Sequence, residues 1–369
     1  MGVRLVRWNG LRPEGSVRPG DPNGVSRVIE VARESSLELA VRGGGHSSAG
    51  HGVTDGGIVL DLTRLKALKI DPERRVAWAQ AGLTAGEFTA AAAEHGLGVS
   101  FGDTGSVGIG GLTLGGGVGY LVRKHGLTID SLLGAEIVTA EGRTLQVDAG
   151  AHPDLFWAIR GGGGNFGVAT SFTYRLQPVA SVTGGMLVLP ATTTSIASFV
   201  EAAAAAPDEV STIANVMPAP PLPFLPADRH GQLVVLAMVL HAGPQAAAER
   251  ALAPFRTVAE PIVDMVRPMP FPEIYPPDNG FHPRAVARTM FLETVDETVA
   301  AQILDICSCQ VSAEPWPPCR RTRPLSRTGR AQSWQPSPRF MRDPTKLRST
   351  RLGRHEQQTT CVKATSVRT

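Results

Sequence analysis

The chain has 369 residues, of which 42% are hydrophobic and 19% are charged, and its net charge is +3. This balance is typical of a globular protein with two or three domains. The sequence contains no run of about 18 uncharged apolar residues, so it predicts no membrane-spanning helix. The first ten residues, MGVRLVRWNG, lack the apolar core of a signal peptide, so we expect a cytoplasmic protein.

The charge is unevenly distributed. From Cys307 onward the chain has 13 Lys and Arg against 3 Asp and Glu, a balance of +10, so residues 1–306 carry −7. All four cysteines also lie in this last segment, which leaves the main body without a disulfide or a cysteine metal site. The net positive charge of the chain therefore comes from the tail. For the main body we expect neither a nucleic acid nor a membrane partner.

The first half of the chain alternates predicted strands and helices, as expected for one domain over residues 1–180. Apolar and alternating runs predict strands at 38–42, 57–62, 75–82 and 166–179, and a hairpin at 135–147 that turns at Glu141-Gly142. Thr84 and Glu87 have the spacing of a capping box, which starts a helix that ends near Gly96. A second helix is predicted over 154–160.

The pattern changes after about residue 180, and we expect a second domain over 181–306. Predicted strands cover 184–190, 211–217, 233–243 and 285–295, with helices over 195–206 and 246–255 and proline-dense loops at 218–226 and 267–277. This order predicts an α+β domain with a sheet covered on one face. Residues 307–369 show no hydrophobic period and predict a basic disordered tail.

Three glycine-rich segments lie in the first domain. They are RGGGHSSAGHG (42–52), GDTGSVGIGGLTLGGGVG (102–119) and RGGGGNFGVAT (160–170), and the second has nine glycines in eighteen residues. Ordering glycine costs roughly 0.5–1 kcal/mol more than ordering alanine, so three such clusters need a physical reason. Close approach of the backbone to a ligand phosphate is the usual reason, and three segments indicate a large ligand such as a dinucleotide.

Other ligand classes fit these segments less well. Gly162, Gly164 and Gly167 have the G-x-G-x-x-G spacing, but a predicted helix precedes them and a strand follows, the reverse of a Rossmann NAD site. No G-x-x-x-x-G-K-[ST] sequence occurs, which argues against a P-loop NTPase. His46 and His51 would need further ligands to hold a metal, and no cluster supplies them, so we expect no metal.

Together the three segments resemble the FAD-binding domain of the vanillyl-alcohol-oxidase, or PCMH-type, flavoprotein superfamily, and within it the bacterial berberine-bridge-enzyme-like oxidases. The resemblance runs from about Trp8 to Asp305. It implies an α+β fold: a PCMH-type FAD-binding domain followed by an α+β substrate domain with an antiparallel sheet. The cofactor-binding residues that it implies are Gly43, Gly44, Gly45, His46, Ser47, Gly102, Asp103, Thr104, Gly105, Val107, Gly110, Gly111, Gly116, Gly117, Gly119, Tyr120, Gly167 and Val168.

The resemblance also implies how FAD is held. The loop of Gly43, Gly44, Gly45 and Ser47 would bind the pyrophosphate, and His46 would bond covalently to the flavin ring. Some members of the family have a second link from a cysteine where this chain has Thr104, so we expect a single link. Leu112 stands where plant relatives often have a histidine, and His51 matches no family role.

By the same resemblance the protein is expected to oxidise a small organic substrate by hydride transfer to FAD, with oxygen as the acceptor. The catalytic base is not identifiable. The family's C-terminal segment has an aromatic-rich stretch beside the flavin, but the three tyrosines here, Tyr120, Tyr174 and Tyr275, all precede the tail. A catalytically impaired flavin-binding product without that closing segment is therefore the alternative.

The tail itself allows two interpretations. Alanine codons of a GC-rich gene read out of frame give proline and arginine, which abound after Cys307, so the tail resembles a frame-shifted ending. The other interpretation is a natural basic tail that binds nucleic acid or an acidic partner.

Overall fold

The computed structural model describes residues 12–47, 49–179, 181–275, 292, 294–308 and, for the backbone, 362–365. The first described elements form a small parallel sheet of three strands in the order β1-β3-β2. The elements of this unit are β1 (Gly15–Val17), α1 (Pro22–Glu34), β2 (Leu39–Arg42) and β3 (Ile58–Asp61). Asp21 caps α1 by accepting a 2.7 Å hydrogen bond from the Gly24 N–H.

A five-stranded antiparallel sheet follows, in the order β4-β5-β9-β7-β8. Its strands are β4 (Leu68–Asp71), β5 (Val76–Gln80), β7 (Leu132–Val138), β8 (Thr144–Asp148) and β9 (Val168–Arg175). Shorter elements connect them: α2 (Ala85–Ala93), β6 (Leu97–Gly98), α3 (Ile109–Leu114), α4 (Val122–His125), α5 (Pro153–Ile159) and β10 (Gln177–Pro178). Edge-to-face contacts of Phe88, Phe101 and Tyr174, with ring centroids 4.9–5.6 Å apart, anchor the core beneath α2.

The rest of the described chain forms a six-stranded antiparallel sheet. Its strands are β11 (Val182–Pro190), β12 (Val210–Pro218), β13 (Leu233–His241), β14 (Val263–Asp264), β15 (Arg267–Met269) and β16 (Val362–Thr365). The order is β14-β11-β13-β12-β16, and β15 also pairs with β11. Three helices cover one face: α6 (Thr193–Ala205), α7 (Gln245–Thr257) and α8 (Glu297–Ser308). The predicted α+β class is confirmed.

Most of the predicted elements are present. The capping box at Thr84 and Glu87 forms on α2, and the hairpin of β7 and β8 turns at the predicted place. The strand predicted over 166–179 is interrupted at Leu176 and forms two strands, β9 and β10. The strand predicted over 285–295 lies almost entirely outside the described residues.

Three predictions differ from the structure. The segment 267–277 was predicted as a loop, but its first residues form β15 and Phe271–Ile274 form a 3-10 turn. The boundary between 306 and 307 falls inside α8, where Cys307 is fully buried and its thiol donates to the Val216 carbonyl at 3.3 Å. Strand β16 pairs with β12 from within the predicted tail. Residues 309–361 and 366–369, on which the frame-shift hypothesis rests, are outside the described chain.

Candidate functional site

The first two glycine segments pack backbone against backbone. A Cβ on Gly44 would lie 2.3 Å from the Gly108 nitrogen and 2.8 Å from the Ser106 carbonyl oxygen, so only glycine fits there. A Cβ on Gly43 would lie 3.8 Å from the Ala81 carbonyl oxygen, and Gly45 has a φ of +77°, a conformation that favours glycine. The loop after β2 is therefore held directly against the segment that leads into α3.

His46 and Ser47 follow this close contact, and both are half-buried. The His46 Nε2 atom lies 3.1 Å from Ser106 Oγ, within hydrogen-bond distance. Ser106 was missed by sequence reasoning, because a serine between glycines is also typical of an ordinary turn. The structure thus gives His46 a partner on the second glycine segment.

A buried carboxylate fixes the base of the His46 loop. Asp61, 1% exposed, accepts hydrogen bonds from Arg42 at 2.7 Å and from Arg18 at 3.1 Å. It also accepts from the Thr63 N–H and hydroxyl. Burial raises the pKa of Asp61, but the hydrogen bonds from Thr63 and Arg42 outweigh this effect and hold the pKa below its ordinary value. Arg42 immediately precedes Gly43, so this network orients the start of the loop.

Helix α3 lies within the second glycine segment and contacts the other two segments or their neighbours at its ends. At its first turn the Ile109 N–H donates to the Leu83 carbonyl at 3.0 Å, and at its end the Gly161 N–H donates to the Leu114 carbonyl at 3.1 Å. Six residues of helix span about 9 Å. The His46 loop and the third glycine segment therefore lie at opposite ends of this short helix.

Most glycines of the second and third segments fall into two groups. One group faces open space, since a Cβ there would meet no heavy atom within 4 Å; it consists of Gly111, Gly116, Gly161, Gly163 and Gly164. The other group packs against the protein itself, with a Cβ placed 3.1 Å or less from neighbouring atoms; among the predicted site residues it consists of Gly102, Gly110, Gly117, Gly119 and Gly167. The open group leaves exposed backbone along α3 and toward the third segment, where a large ligand could lie.

The residues between Gly102 and Gly108 form a braced turn. Thr104 Oγ1 donates to Asp103 Oδ1 at 3.2 Å. The carbonyls of Gly105 and Val107 each accept a 2.8 Å hydrogen bond from the start of α2. Because α2 is itself capped, these contacts hold the turn, and with it Ser106, in a fixed position.

Two tyrosines donate hydrogen bonds to backbone carbonyls in this turn and just before it. Tyr120 is 2% exposed and its hydroxyl donates to the Asp103 carbonyl at 3.4 Å, while the Tyr275 hydroxyl donates to the Phe101 carbonyl at 3.0 Å. Burial raises the pKa of Tyr275 to about 12, and burial together with the nearby Tyr275 raises that of Tyr120 further. Both phenols are neutral at pH 7. Val168 is also buried, at the start of β9 opposite Val138.

The described residues form neither a metal site nor a membrane-spanning helix. Within the described part of the chain, no group of three or more His, Cys, Asp and Glu side chains is placed to hold a metal ion. A helix long and apolar enough to cross a membrane is also absent from the described residues.

Residues 13–148 match the family model of the FAD binding domain. (R)-6-hydroxynicotine oxidase of Paenarthrobacter nicotinovorans is 32% identical over 271 residues, which are 72% of this chain and 58% of that protein. The crystal structure of 6-hydroxy-D-nicotine oxidase from Arthrobacter nicotinovorans is similar with a TM-score of 0.65 at 31% identity, covering 72% of this chain and 58% of that one. For BBE-like 1 of Physcomitrella patens the TM-score is 0.62 at 26% identity, with 72% and 57% covered.

These similarities define the class: residues 13–148 are an FAD-binding domain, and the fold is that of the PCMH-type flavoproteins. The homologues of the chain include 6-hydroxynicotine oxidase, and its structural neighbours include berberine-bridge-enzyme-like proteins. The chain spans less than two thirds of the length of these relatives.

The residues of the site fit FAD. The exposed backbone at Gly111, Gly161 and Gly164 leaves room that a Cβ would reduce. His46 is at one end of this open surface and the third glycine segment is at the other, as an extended dinucleotide requires. The glycines that pack against the protein allow neighbouring segments to lie close together, and this shapes the surface.

Proposed function

We propose that the protein is an FAD-dependent oxidoreductase that takes a hydride from a small organic substrate, with molecular oxygen as the electron acceptor. The observation that supports this most is the contact of Gly44 with Gly108, which sets His46 against Ser106 at the end of an open, glycine-lined surface. Of the relatives named above, (R)-6-hydroxynicotine oxidase is an oxidase by name, in agreement with this proposal.

FAD, when bound, supplies the two-electron chemistry, and the protein supplies binding and orientation. In this proposal the loop of Gly43, Gly44, Gly45 and Ser47 binds the pyrophosphate through backbone N–H groups. The Asp61 network fixes the start of that loop through Arg42. The open glycines of α3 and the third segment allow close approach of the rest of the cofactor.

We further propose that His46 carries a single covalent bond to FAD. An imidazole is a nucleophile in its neutral form, which dominates above its ordinary pKa of about 6.5. Ser106 limits rotation of the ring by its contact with Nε2. A second link from the Thr104 position would need a thiol, and the one cysteine in the described chain with a defined side chain, Cys307, packs against Val216 in β12.

Removal of the substrate proton is not assigned to Tyr120 or Tyr275. The raised pKa of each phenol keeps it protonated near neutral pH, where it can donate a hydrogen bond but not accept a proton. Both hydroxyls also point at backbone carbonyls of the turn. Their proposed role is to hold that turn in place.

The test is acid precipitation of purified protein followed by spectroscopy of the pellet. The wild-type pellet should stay yellow, and a tryptic digest should give one flavin-bearing peptide, which contains His46. His46→Ala should bind FAD reversibly and give a colourless pellet, whereas His51→Ala should behave as the wild type. Acid-stable flavin in His46→Ala would show that another residue carries the bond, and wild-type protein unable to bind FAD would contradict the whole proposal.

A further inference from the structure

Helix α4 holds the FAD-binding domain against the six-stranded sheet and its helices. The Arg123 side chain is 1% exposed and donates to the Ala203 and Ala206 carbonyls, at 2.7 Å each. These carbonyls lie at the C-terminal end of α6, where a helix carries partial negative charge. Lys124 donates to the carbonyl of Ala242, directly after β13, at 2.5 Å. Two adjacent cations of α4 thus bind two separate corners of the second sheet.

Two histidines lie at the same junction, one on each side of it. His125 is the last residue of α4, and its Nε2 atom is buried. His241 is the last residue of β13; it is 2% exposed, and its Nδ1 atom is buried. Neither nitrogen has a hydrogen-bond partner among the described residues. Buried polar groups are usually paired, so these two nitrogens need an explanation.

Glu209 and Lys124 bring opposite charges close to His241. A Cβ on Gly243 would lie 2.7 Å from His241 Cε1 and 3.3 Å from Glu209 Cγ, so the imidazole and the glutamate side chain both approach this glycine. The Ala242 N–H donates to the Glu209 carbonyl at 2.8 Å, and the Ala242 carbonyl accepts from Lys124. Both charged residues are therefore bound to the residue that directly follows His241.

The other charged side chains around the junction have partners. Asp208 lies 3.9 Å from the Arg123 guanidinium. On the other side of α4, Asp130 lies 3.7 Å from Arg160. The residues opposite His241 on the two adjacent strands are uncharged: Thr183 and Val210. Lys124 and Glu209 are thus the charged groups that act most directly on the two histidines.

The charges at the junction balance only while both histidines are neutral, because two cations of α4 face the two carboxylates of Asp208 and Glu209. Burial and the nearby Lys124 lower the pKa of His125 below its ordinary value, although Glu209 acts in the opposite direction. Burial also lowers the pKa of His241. Protonation of either ring therefore adds an unbalanced, partly desolvated positive charge.

Acid weakens this contact. A group whose pKa is lower in the closed junction than in water binds a proton more readily when the junction opens. Above about pH 6.5, the ordinary pKa of histidine, the closed form keeps its full stability. As the pH falls from there through the lowered pKa values, opening takes up protons and becomes easier. Carboxylates with ordinary pKa values stay ionised down to about pH 5, so this pH range belongs to the histidines.

Solvent is close to the junction. A cavity of about 260 Å³ lies beside it, and its lining includes Lys124 and Val179 from one side and Ala242 and Gly243 from the other. A water molecule occupies about 30 Å³, so the cavity has room for several. Because the His241 ring approaches Gly243, a small displacement at this point would hydrate a protonated imidazole.

We propose that α4 is an acid-sensitive latch between the FAD-binding domain and the six-stranded sheet, and that protonation of His125 and His241 releases it. The latch consists of residues 123–125 and 241. At neutral pH, Arg123 and Lys124 hold the carbonyls of α6 and of Ala242. In acid, the charged rings repel these cations and take up water, and the carbonyls are released.

The latch is also connected to the second glycine segment. Tyr120 lies two residues before α4 and donates to the Asp103 carbonyl. Release of α4 would therefore loosen the turn that positions Ser106. The latch is a property of the protein itself and requires neither bound flavin nor oxidase activity.

The test is hydrogen exchange of the full chain, followed by mass spectrometry at about pH 7.5 and about pH 5. Peptides that cover 119–127, 203–210 and 238–246 report on the latch, and a peptide from α1 is the reference. Each rate is corrected for the intrinsic effect of pH on exchange. We expect protection of the latch peptides to fall at least about tenfold between the two pH values, and that of the reference less than about threefold.

Neutral side chains at both histidines should remove this effect. In the double variant His125→Gln and His241→Gln, we expect protection of the latch peptides to fall less than about threefold. His95→Gln, at an exposed position after α2, is the matched control and should respond to acid like the wild type. An equal fall in the wild type and the double variant would overturn the proposal.

Two charge variants keep the test decisive if the double variant does not fold, as judged by circular dichroism. Lys124→Met removes a cation that opposes protonation, so the ratio of protection at the two pH values should shrink. Glu209→Gln removes the carboxylate that favours protonation, so this ratio should grow. A purely structural loss of the Lys124 hydrogen bond would lower protection at both pH values alike and leave the ratio unchanged. Unchanged ratios in both variants, or changes in the reverse directions, would overturn the latch.

Discussion

The His46 Nε2 atom lies 3.1 Å from Ser106 Oγ, and the two residues are 60 positions apart in the chain. This contact joins the first glycine segment to the second at the side chain that we propose to carry the flavin. It depends on the close approach of Gly44 to Gly108, which brings the two loops within reach. The histidine is therefore oriented by the fold and not only by its own loop.

Ser106→Ala should slow covalent attachment of FAD without unfolding the protein. A hydrogen bond of this kind contributes about 0.5–1.5 kcal/mol, so we expect attachment to slow roughly 2- to 10-fold. The measurement is the fraction of acid-stable flavin over time after FAD is added to the apoprotein. Ser106→Thr, which keeps the hydroxyl, should restore part of the rate, and Ser16→Ala on the exposed face of β1 is the control. Attachment at the wild-type rate in Ser106→Ala would show that the serine does not orient His46.

Gly44→Ala should destabilise the protein strongly, because its Cβ would lie 2.3 Å from a backbone nitrogen that cannot rotate away. Overpacking costs about 1–3 kcal/mol where side chains can adjust, and here the neighbour is backbone. Gly111→Ala is the matched substitution, since its Cβ would meet no atom within 4 Å. It should leave the stability of the apoprotein unchanged or raise it by up to about 1 kcal/mol, as expected for alanine in a helix.

Gly44→Ala and Gly111→Ala also distinguish a glycine that is needed for packing from a glycine that is needed for contact with the cofactor. In a His46→Ala background, where binding is reversible, Gly111→Ala should lower the affinity for FAD although it does not lower the melting temperature. Thermal unfolding of the apoprotein and titration with FAD measure the two quantities independently. An unchanged FAD affinity in Gly111→Ala would place the cofactor elsewhere than along the open side of α3.

Asp61→Asn should lower the free energy of unfolding by about 1–3 kcal/mol at pH 7, because Arg42 and Arg18 lose their buried partner. The folded-state pKa of Asp61 is below the unfolded-state value. Its carboxylate therefore stabilises the fold fully above about pH 4, and this contribution is lost as the pH falls through the folded-state pKa. The difference between wild type and variant should narrow below about pH 4 in denaturant titrations.

Asp71→Asn provides the comparison for Asp61. Asp71 is 47% exposed and lies 3.7 Å from Arg74, an exposed ion pair. Such pairs contribute about 0–1 kcal/mol, so this substitution should have little effect at any pH. If both variants lose the same stability, the Asp61 network is not the base of the His46 loop that we describe.

The glycine segments and the capping box were predictable because their signals are local. Thr84 and Glu87 are three positions apart, and that spacing alone specifies the reciprocal hydrogen bonds seen on α2. His46 was singled out because it ends a glycine run, and its role was implied by the resemblance to the PCMH-type flavoproteins. The α+β class followed from the order of strand and helix patterns, which the five- and six-stranded sheets confirm.

The sequence could not predict which glycines pack against the protein and which face open space, because this depends on what lies opposite each residue. Gly117 and Gly116 are neighbours in sequence, yet a Cβ would meet Thr128 Oγ1 at 2.1 Å on the first and open space on the second. Strand register has the same character: Met186 of β11 lies opposite Met238 of β13, and a single sequence does not display this alignment. Helix α8 was not predicted, and the predicted tail began at Cys307, whose burial comes from packing against β12.

The contact between His46 and Ser106 also affects when the site forms during folding. Each contact that builds it closes a long loop: Arg18 and Arg42 meet Asp61 across 43 and 19 positions, and His46 meets Ser106 across 60. Loop closure costs entropy that only later packing returns, so long-range contacts of this kind form slowly. During synthesis the histidine would leave the ribosome well before the serine and the third glycine segment. The flavin site is consequently a late product of folding, and a fragment that ends before about residue 165 would contain His46 without containing its site.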